Sequence, residues 1–244
     1  MSPRRTLATA GRVLRQLRHD PRTIALVMVV PPVLITLLKY VFSGQSGTFD
    51  VVAPMVLGIF PLIIMFIVTS IATLRERTSG TLERIMTLPM SKLDFILGYA
   101  LAFAFLALIQ ALIASGVVLG LLGVSVQGGA LEIIVTAVLS GVLGMAMGLF
   151  VSAFAATEFQ AVQFMPAFVF PQLLVCGFFV PREAMAKWLQ WLSDILPMTY
   201  VTEAMQHIAR ASGWGGGFGL NLIVTACFIA FFLGLGAVTL RRRE

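Results

Sequence analysis

Arg75-Glu76-Arg77-Thr78-Ser79-Gly80-Thr81-Leu82-Glu83-Arg84-Ile85-Met86-Thr87-Leu88-Pro89 separates two long apolar runs. Reversing direction at a membrane surface takes only a few residues. This stretch instead offers both signs of charge on a helix-compatible backbone, which suits contact with another protein. The polar segment as a whole runs over 75–92, and Ser91 near its end pairs with Asp94 as a capping box that opens the next helix.

Outward from this segment the chain reads as membrane-spanning. Hydrophobic residues make up 59% of it, charged residues 11%, and mean hydropathy is +0.97, whereas soluble domains carry about 25% charged residues. A bilayer core of about 30 Å needs about 20 apolar residues in helix. Six runs of that kind are expected, at about 23–42, 51–74, 94–121, 131–155, 160–180 and 217–240. Pro31 and Pro32 in the first span, and Pro54 and Pro61 in the second, are expected to bend their helices. The charge-free stretch 95–131 is too long for one crossing, and Gly120, Gly123 and Ser125–Gly129 supply a turn.

Net charge is +6, and 13 of the 17 Lys/Arg lie in three blocks, at 1–22, 75–92 and 241–243. All three fall on one side of a six-span topology, so the positive-inside rule places both termini in the cytoplasm. It also accounts for the basic balance without nucleic acid, for which no motif is present. Residues 1–22 place Leu7, Ala10, Leu14 and Leu17 on one helical face and arginines on the other, the pattern of an amphipathic interfacial helix. No apolar stretch follows Arg4-Arg5 promptly and no clear cleavage site appears, so a cleaved signal is not expected. The tail 241–244 is expected in the cytoplasm.

The extracytoplasmic segment 181–216 holds all three tryptophans and two short helical stripes broken at Pro197. Two helices dipping into the outer leaflet would form a cap or gate, with Pro181, Trp188, Pro197 and Tyr200 as gate candidates. In span four Gly141, Gly144 and Gly148 form a small-residue stripe that allows close helix approach. Spacing leaves open whether that contact lies within one subunit or between two.

Glu76–Glu83 with Leu88-Pro89 and Lys92, and Phe179-Val180-Pro181 with Trp188-Leu189 and Leu196–Tyr200, resemble the ABC-2 family of ABC exporter membrane subunits. The resemblance covers nearly the full length. It implies an all-α polytopic membrane protein with six transmembrane helices of the ABC-2 exporter type. It implies an interfacial N-terminal helix, and a coupling helix around Gly80–Met86 that rests on an ABC ATPase subunit. Arg75, Glu76, Arg77, Gly80, Leu82, Glu83, Arg84, Ile85 and Met86 are the coupling candidates. Thr78 or Ser79 is expected to cap that short helix, Glu83 to suit its N-terminal dipole, and Pro89 to stop it. Spans two and five are implied to line the pathway in a homodimer or a heterodimer with a related permease. Phe60, Phe66, Gln163, Phe164, Phe168 and Gln172 are the lining candidates, and a charge-free aromatic lining suits an apolar or amphipathic substrate such as a drug, lipid or glycan.

No phosphate-binding G-x-x-x-x-G-K motif occurs, so MgATP is expected in a separate partner subunit, with no cofactor in this chain. No metal site or nucleophile–base pair is expected: His19 and His207 lack ligand-spaced neighbours, and Cys176 and Cys227 read as small hydrophobes. No ionisable residue sits near the middle of a span, which disfavours an ion-coupled carrier. The remaining alternative is a non-transporting membrane anchor or assembly partner.

Overall fold

The computed structural model describes residues 2–80, 91–211, 213–215 and 217–239. All regular structure among them is helical. Helix α1 is Pro3–Arg18, α2 Pro21–Val41, α3 Ser46–Thr78 and α4 Lys92–Gly116, the last prolonged by a π-turn over Val117–Leu121. Helix α5 is Ala130–Val151, α6 Glu158–Val175, α7 Lys187–Asp194, α8 Pro197–Arg210 and α9 Phe218–Thr239, with a 3-10 turn at Arg182–Ala184 before α7. Thr81–Met90 and residues 240–244 lie outside the described residues, and with them Leu82, Glu83, Arg84, Ile85, Met86 and the basic tail.

Five of these helices (α2, α3, α4 with its π-turn, α5 and α9) are long and apolar enough to cross a membrane. Helix α6, the expected fifth crossing, differs from them. It carries Glu158, Gln160, Gln163 and Gln172 within 18 residues, and it ends at Val175 rather than 180. It runs antiparallel to α3, with Glu158 bonded to Arg75 and the Phe168 ring 6.5 Å from that of Phe66. Seven further residues bring it only to the level of about Ile59, well short of the start of α3 at Ser46. Helix α8 fills that half of the bundle. Its His207 ring lies 5.9 Å from Phe218 and its Tyr200 ring 6.0 Å from Phe228. Ten residues of α9 between those pairings put α8 about 15 Å deep.

The centre of the bundle is the crossing of α3 and α5, and it explains the glycine stripe. A Cβ at Gly144 would collide with the Leu62 carbonyl and one at Gly148 with the Phe66 carbonyl; one at Gly141 would lie 2.8 Å from the Ala107 Cβ. The stripe therefore serves backbone contact within one chain. Ser140 caps the contact by donating to the Gly58 carbonyl. In lipid the gain comes from van der Waals contact and such hydrogen bonds rather than from burial away from water.

Helix α1 lies across the start of α4. Thr6, Thr9, Ala10 and Val13 are its buried residues, whereas Leu7 is 63% exposed. The apolar stripe expected from spacing is thus rotated, because Gly98 opens a seat on α4. A Cβ there would stand 2.6 Å from the Thr9 Cβ and 3.0 Å from the Thr6 carbonyl. Ser91 and Asp94 form the expected capping box, and Asp94 also accepts from the Ser2 amide at 3.0 Å.

Candidate coupling site

Helix α3 does not stop where its apolar run stops. It continues through Arg75, Glu76, Arg77 and Thr78, and the Thr78 hydroxyl bonds back to the Leu74 carbonyl at 3.1 Å. Ser79 is its C-cap, and Gly80 follows at φ +71°, the left-handed conformation that ends helices without a Cβ penalty. Thr78 and Ser79 therefore terminate α3, and the short helix they are expected to cap lies outside the described residues.

Consecutive helical residues point about 100° apart, so three successive charges on the last turn of α3 reach three different partners. Arg75 makes a bidentate bond to Glu158, Nε to Oε1 at 2.7 Å and Nη2 to Oε2 at 3.0 Å. Glu158 lies in the first turn of α6, where a carboxylate also meets the positive end of the helix dipole. Arg77 donates to the Ser152 carbonyl at 2.5 Å, at the negative end of α5. Glu76 turns inward, is 3% exposed, and accepts from Arg12 of α1 at 2.9 Å. Arg12 also donates to the Tyr99 hydroxyl of α4 at 3.1 Å. Burial alone pulls the Arg12 pKa down, but its bonds to Glu76 and to the Tyr99 hydroxyl, with the Glu76 charge, outweigh this and raise it. The root of the 81–90 segment is thus tied to α1, α4, α5 and α6 at once.

Arg75, Glu76, Arg77 and Gly80 are brought together at one end of the bundle. Sequence reading missed their partners Arg12, Tyr99, Ser152 and Glu158. Spacing alone puts Arg12 on the arginine face of α1, opposite Leu7, Ala10, Leu14 and Leu17. The one available signal was an acidic residue opening one helix and an arginine closing another, which is too common to pair two positions.

The pathway candidates separate. Gln163 and Phe168 are exposed on α6, and Phe60 and Phe164 are half-buried. Phe66 is fully buried in the core beside Gly148. Gln172 is 3% exposed and acts as a bracket: its Nε2 donates to the Phe168 carbonyl at 2.8 Å, and its Oε1 accepts from the Met198 amide at 3.3 Å, in the first turn of α8.

At the opposite end, Pro181 and Trp188 are exposed and Pro197 is buried at the start of α8. The Tyr200 hydroxyl donates to the Asp194 carbonyl at 2.6 Å, closing the turn between α7 and α8. Arg182 pairs with both Asp194 and Glu203, bracing the segment before α7 against both helices. Ser193 and Thr199 complete this joint through hydroxyls 2.9 Å apart.

A cavity of about 350 Å³ lies between α1, α2, α3 and α4. Val13, Leu17, Val27, Val30, Ile67 and Val68 form its apolar walls, and Asp20, Arg75 and Glu76 its polar end. Asp20 caps α2, accepting from the Thr23 hydroxyl at 2.7 Å and the Thr23 amide at 3.2 Å, and these bonds lower its pKa.

The ABC-2 type transporter profile matches residues 4–209. Similar proteins include ABC transporter G family member 20 of Dictyostelium discoideum, 25% identical over 174 residues that cover 71% of this chain and 24% of that protein. The probable multidrug ABC transporter permease YbhR of Escherichia coli (strain K12) is 29% identical over 157 residues, 64% of this chain and 43% of YbhR. The daunorubicin resistance ABC transporter permease protein DrrB1 of Streptomyces coeruleorubidus is 24% identical over 238 residues, 94% of this chain and 83% of DrrB1. The chain spans about a quarter of the first of these relatives and less than half of the second. With a family match over most of its length and an all-helical, multiply spanning fold, the chain belongs to the ABC-2 type transporter family.

Proposed function

We propose that this chain is the permease subunit of an ATP-driven exporter. It would carry an apolar or amphipathic substrate out of the cytoplasm by alternating access. A separate ABC ATPase subunit binds and hydrolyses MgATP, and the permease pairs with a second copy or a related chain. In this reading the protein sits in the cell membrane with both termini cytoplasmic. The basic blocks 1–22 and 75–92 support that orientation, as do relatives named as multidrug and daunorubicin resistance permeases.

The observation that carries the proposal is the branching of the last turn of α3. A displacement of the 81–90 segment by the ATPase passes through Arg75 to α6, through Arg77 to the end of α5, and through Glu76 to α1 and α4. Charge-assisted and bidentate bonds hold direction as well as distance, so a push on one short segment becomes a concerted tilt of several helices. A passive anchor would need no such branching.

Co-purification of the tagged chain from its native membrane in mild detergent, with assay of vanadate-sensitive ATPase activity, tests this. A stoichiometric ATPase stimulated by amphipathic compounds, and uncoupled from transport by Glu83→Arg or Gly80→Pro with insertion intact, is the expected result. An intact, monodisperse chain with no associated ATPase would refute the proposal in favour of an anchor.

A further inference from the structure

Helix α1 carries five arginines, at 4, 5, 12, 15 and 18, and no acidic residue. Its seat on Gly98 of α4 fixes where they point. Steps of about 100° per residue put Arg4, Ala8 and Arg15 opposite the buried Thr6, Thr9, Ala10 and Val13. Arg12 lies on one flank, Leu7 and Leu14 on the other, and Arg18 falls between Leu7 and Arg4. The Arg12 flank meets Glu76 and Tyr99, at the root of the 81–90 segment. On α4, Tyr99 lies to one side of Gly98, whereas Leu101 and Phe105 lie to the other, both exposed on a membrane-crossing helix. The exposed Leu7 therefore extends the lipid-facing surface of α4. Arg4, Arg15 and Arg18 are also exposed, and none of them makes an ion pair among the described residues. Arg15 and Arg18, three residues apart on a helix, repel each other in the absence of an anion.

We infer that this outward face of α1 docks on the headgroups of anionic phospholipids, with Arg4, Arg15 and Arg18 taking the phosphates while Leu7 enters the acyl layer beside α4. Guanidinium and phosphate match as bidentate, charge-assisted partners. A zwitterionic head also brings an ammonium, for which α1 holds no carboxylate, so charge balance selects a net-negative lipid. The three arginines look away from the root of the 81–90 segment, and the inference needs neither an ATPase nor a direction of transport.

The test uses the full chain in phosphatidylcholine vesicles, with a bimane fluorophore on Ala8→Cys in a Cys227→Ser background. Cys176 is fully buried and stays unlabelled while the chain is folded. Quenching is compared between phosphatidylglycerol and phosphatidylcholine, each bearing a nitroxide near the top of its acyl chain, at equal mole fraction. Phosphatidylglycerol is expected to quench as if enriched about fivefold at the label, the worth of one arginine at an anionic surface. The enrichment should vanish in about 1 M salt and in Arg4→Gln/Arg15→Gln/Arg18→Gln. Arg241→Gln/Arg242→Gln/Arg243→Gln removes the same charge at the other end of the chain and should leave it. Equal quenching by the two lipids overturns the inference, as does a preference that survives the α1 triple variant or is lost equally in the tail variant. A label that neither lipid quenches overturns it too, and leaves this face to a protein partner. If the α1 triple variant fails to fold, the lipid comparison, the tail variant and the salt dependence decide.

Discussion

Arg12→Ala removes the ion-pair partner of the buried Glu76 carboxylate and leaves its charge uncompensated at 3% exposure. Breaking a buried ion pair from one side costs about 3–5 kcal/mol. Arg12 is 34% exposed, so water already screens part of the pair, and about 2–3 kcal/mol is the appropriate expectation. For a chain of this size that lowers Tm by about 4–12 °C. Cys176 is fully buried and Cys227 exposed. In a Cys227→Ser background, a thiol-reactive fluorophore therefore reports unfolding in detergent through Cys176 alone. The double variant Arg12→Leu/Glu76→Leu removes both charges together and should recover most of the loss, to within about 1 kcal/mol of wild type. An Arg12→Ala Tm indistinguishable from wild type would refute the reasoning, as would a double variant whose loss equals the sum of the two single ones.

The neighbouring pair should behave differently: Arg75 and Glu158 are 54% and 52% exposed, so Arg75→Gln should cost less than about 1 kcal/mol by the same thermal assay. Gly144→Ala drives a methyl into the Leu62 carbonyl, and overpacking of this kind costs about 1–3 kcal/mol. A Tm unchanged by Gly144→Ala would show that the α3–α5 contact is looser than described. Gln172→Leu strands the Met198 amide at the start of α8, and hydrogen exchange at α8 should quicken while exchange in α3 and α5 stays unchanged. Asp20 has a lowered folded pKa through its bonds to Thr23, so its stabilisation is present above the ordinary carboxylate value and fades as acid protonates it in the folded state. Asp20→Asn should flatten that acid limb of the Tm–pH curve, and an unchanged limb would assign it to other groups.

The helical, multiply spanning class was legible from residues alone because a backbone in lipid must bond within its own helix. A charge-free run near twenty residues long therefore has one solution. The Ser91–Asp94 cap was legible for a similar reason, since all its atoms lie within four residues. Helix α6 was harder. Its phenylalanines argue for a crossing, but its Gln172 belongs to a contact with α8 that no local pattern contains.

Which face of a helix is buried, and which charge finds which, depends on residues far apart in the chain. Arg12 lies 64 positions from Glu76, and Arg75 lies 83 from Glu158. Their pairing follows from α1 settling onto Gly98 and from α3 outrunning its apolar stretch by a full turn. The glycine stripe of α5 announced a close contact, and the chain fold made it an internal one by presenting the Leu62 and Phe66 carbonyls to Gly144 and Gly148. Hydropathy and local hydrogen bonding act over a few residues and are written along the chain. Register between helices is a property of the whole bundle, settled where backbones can approach closely and where buried charges find partners.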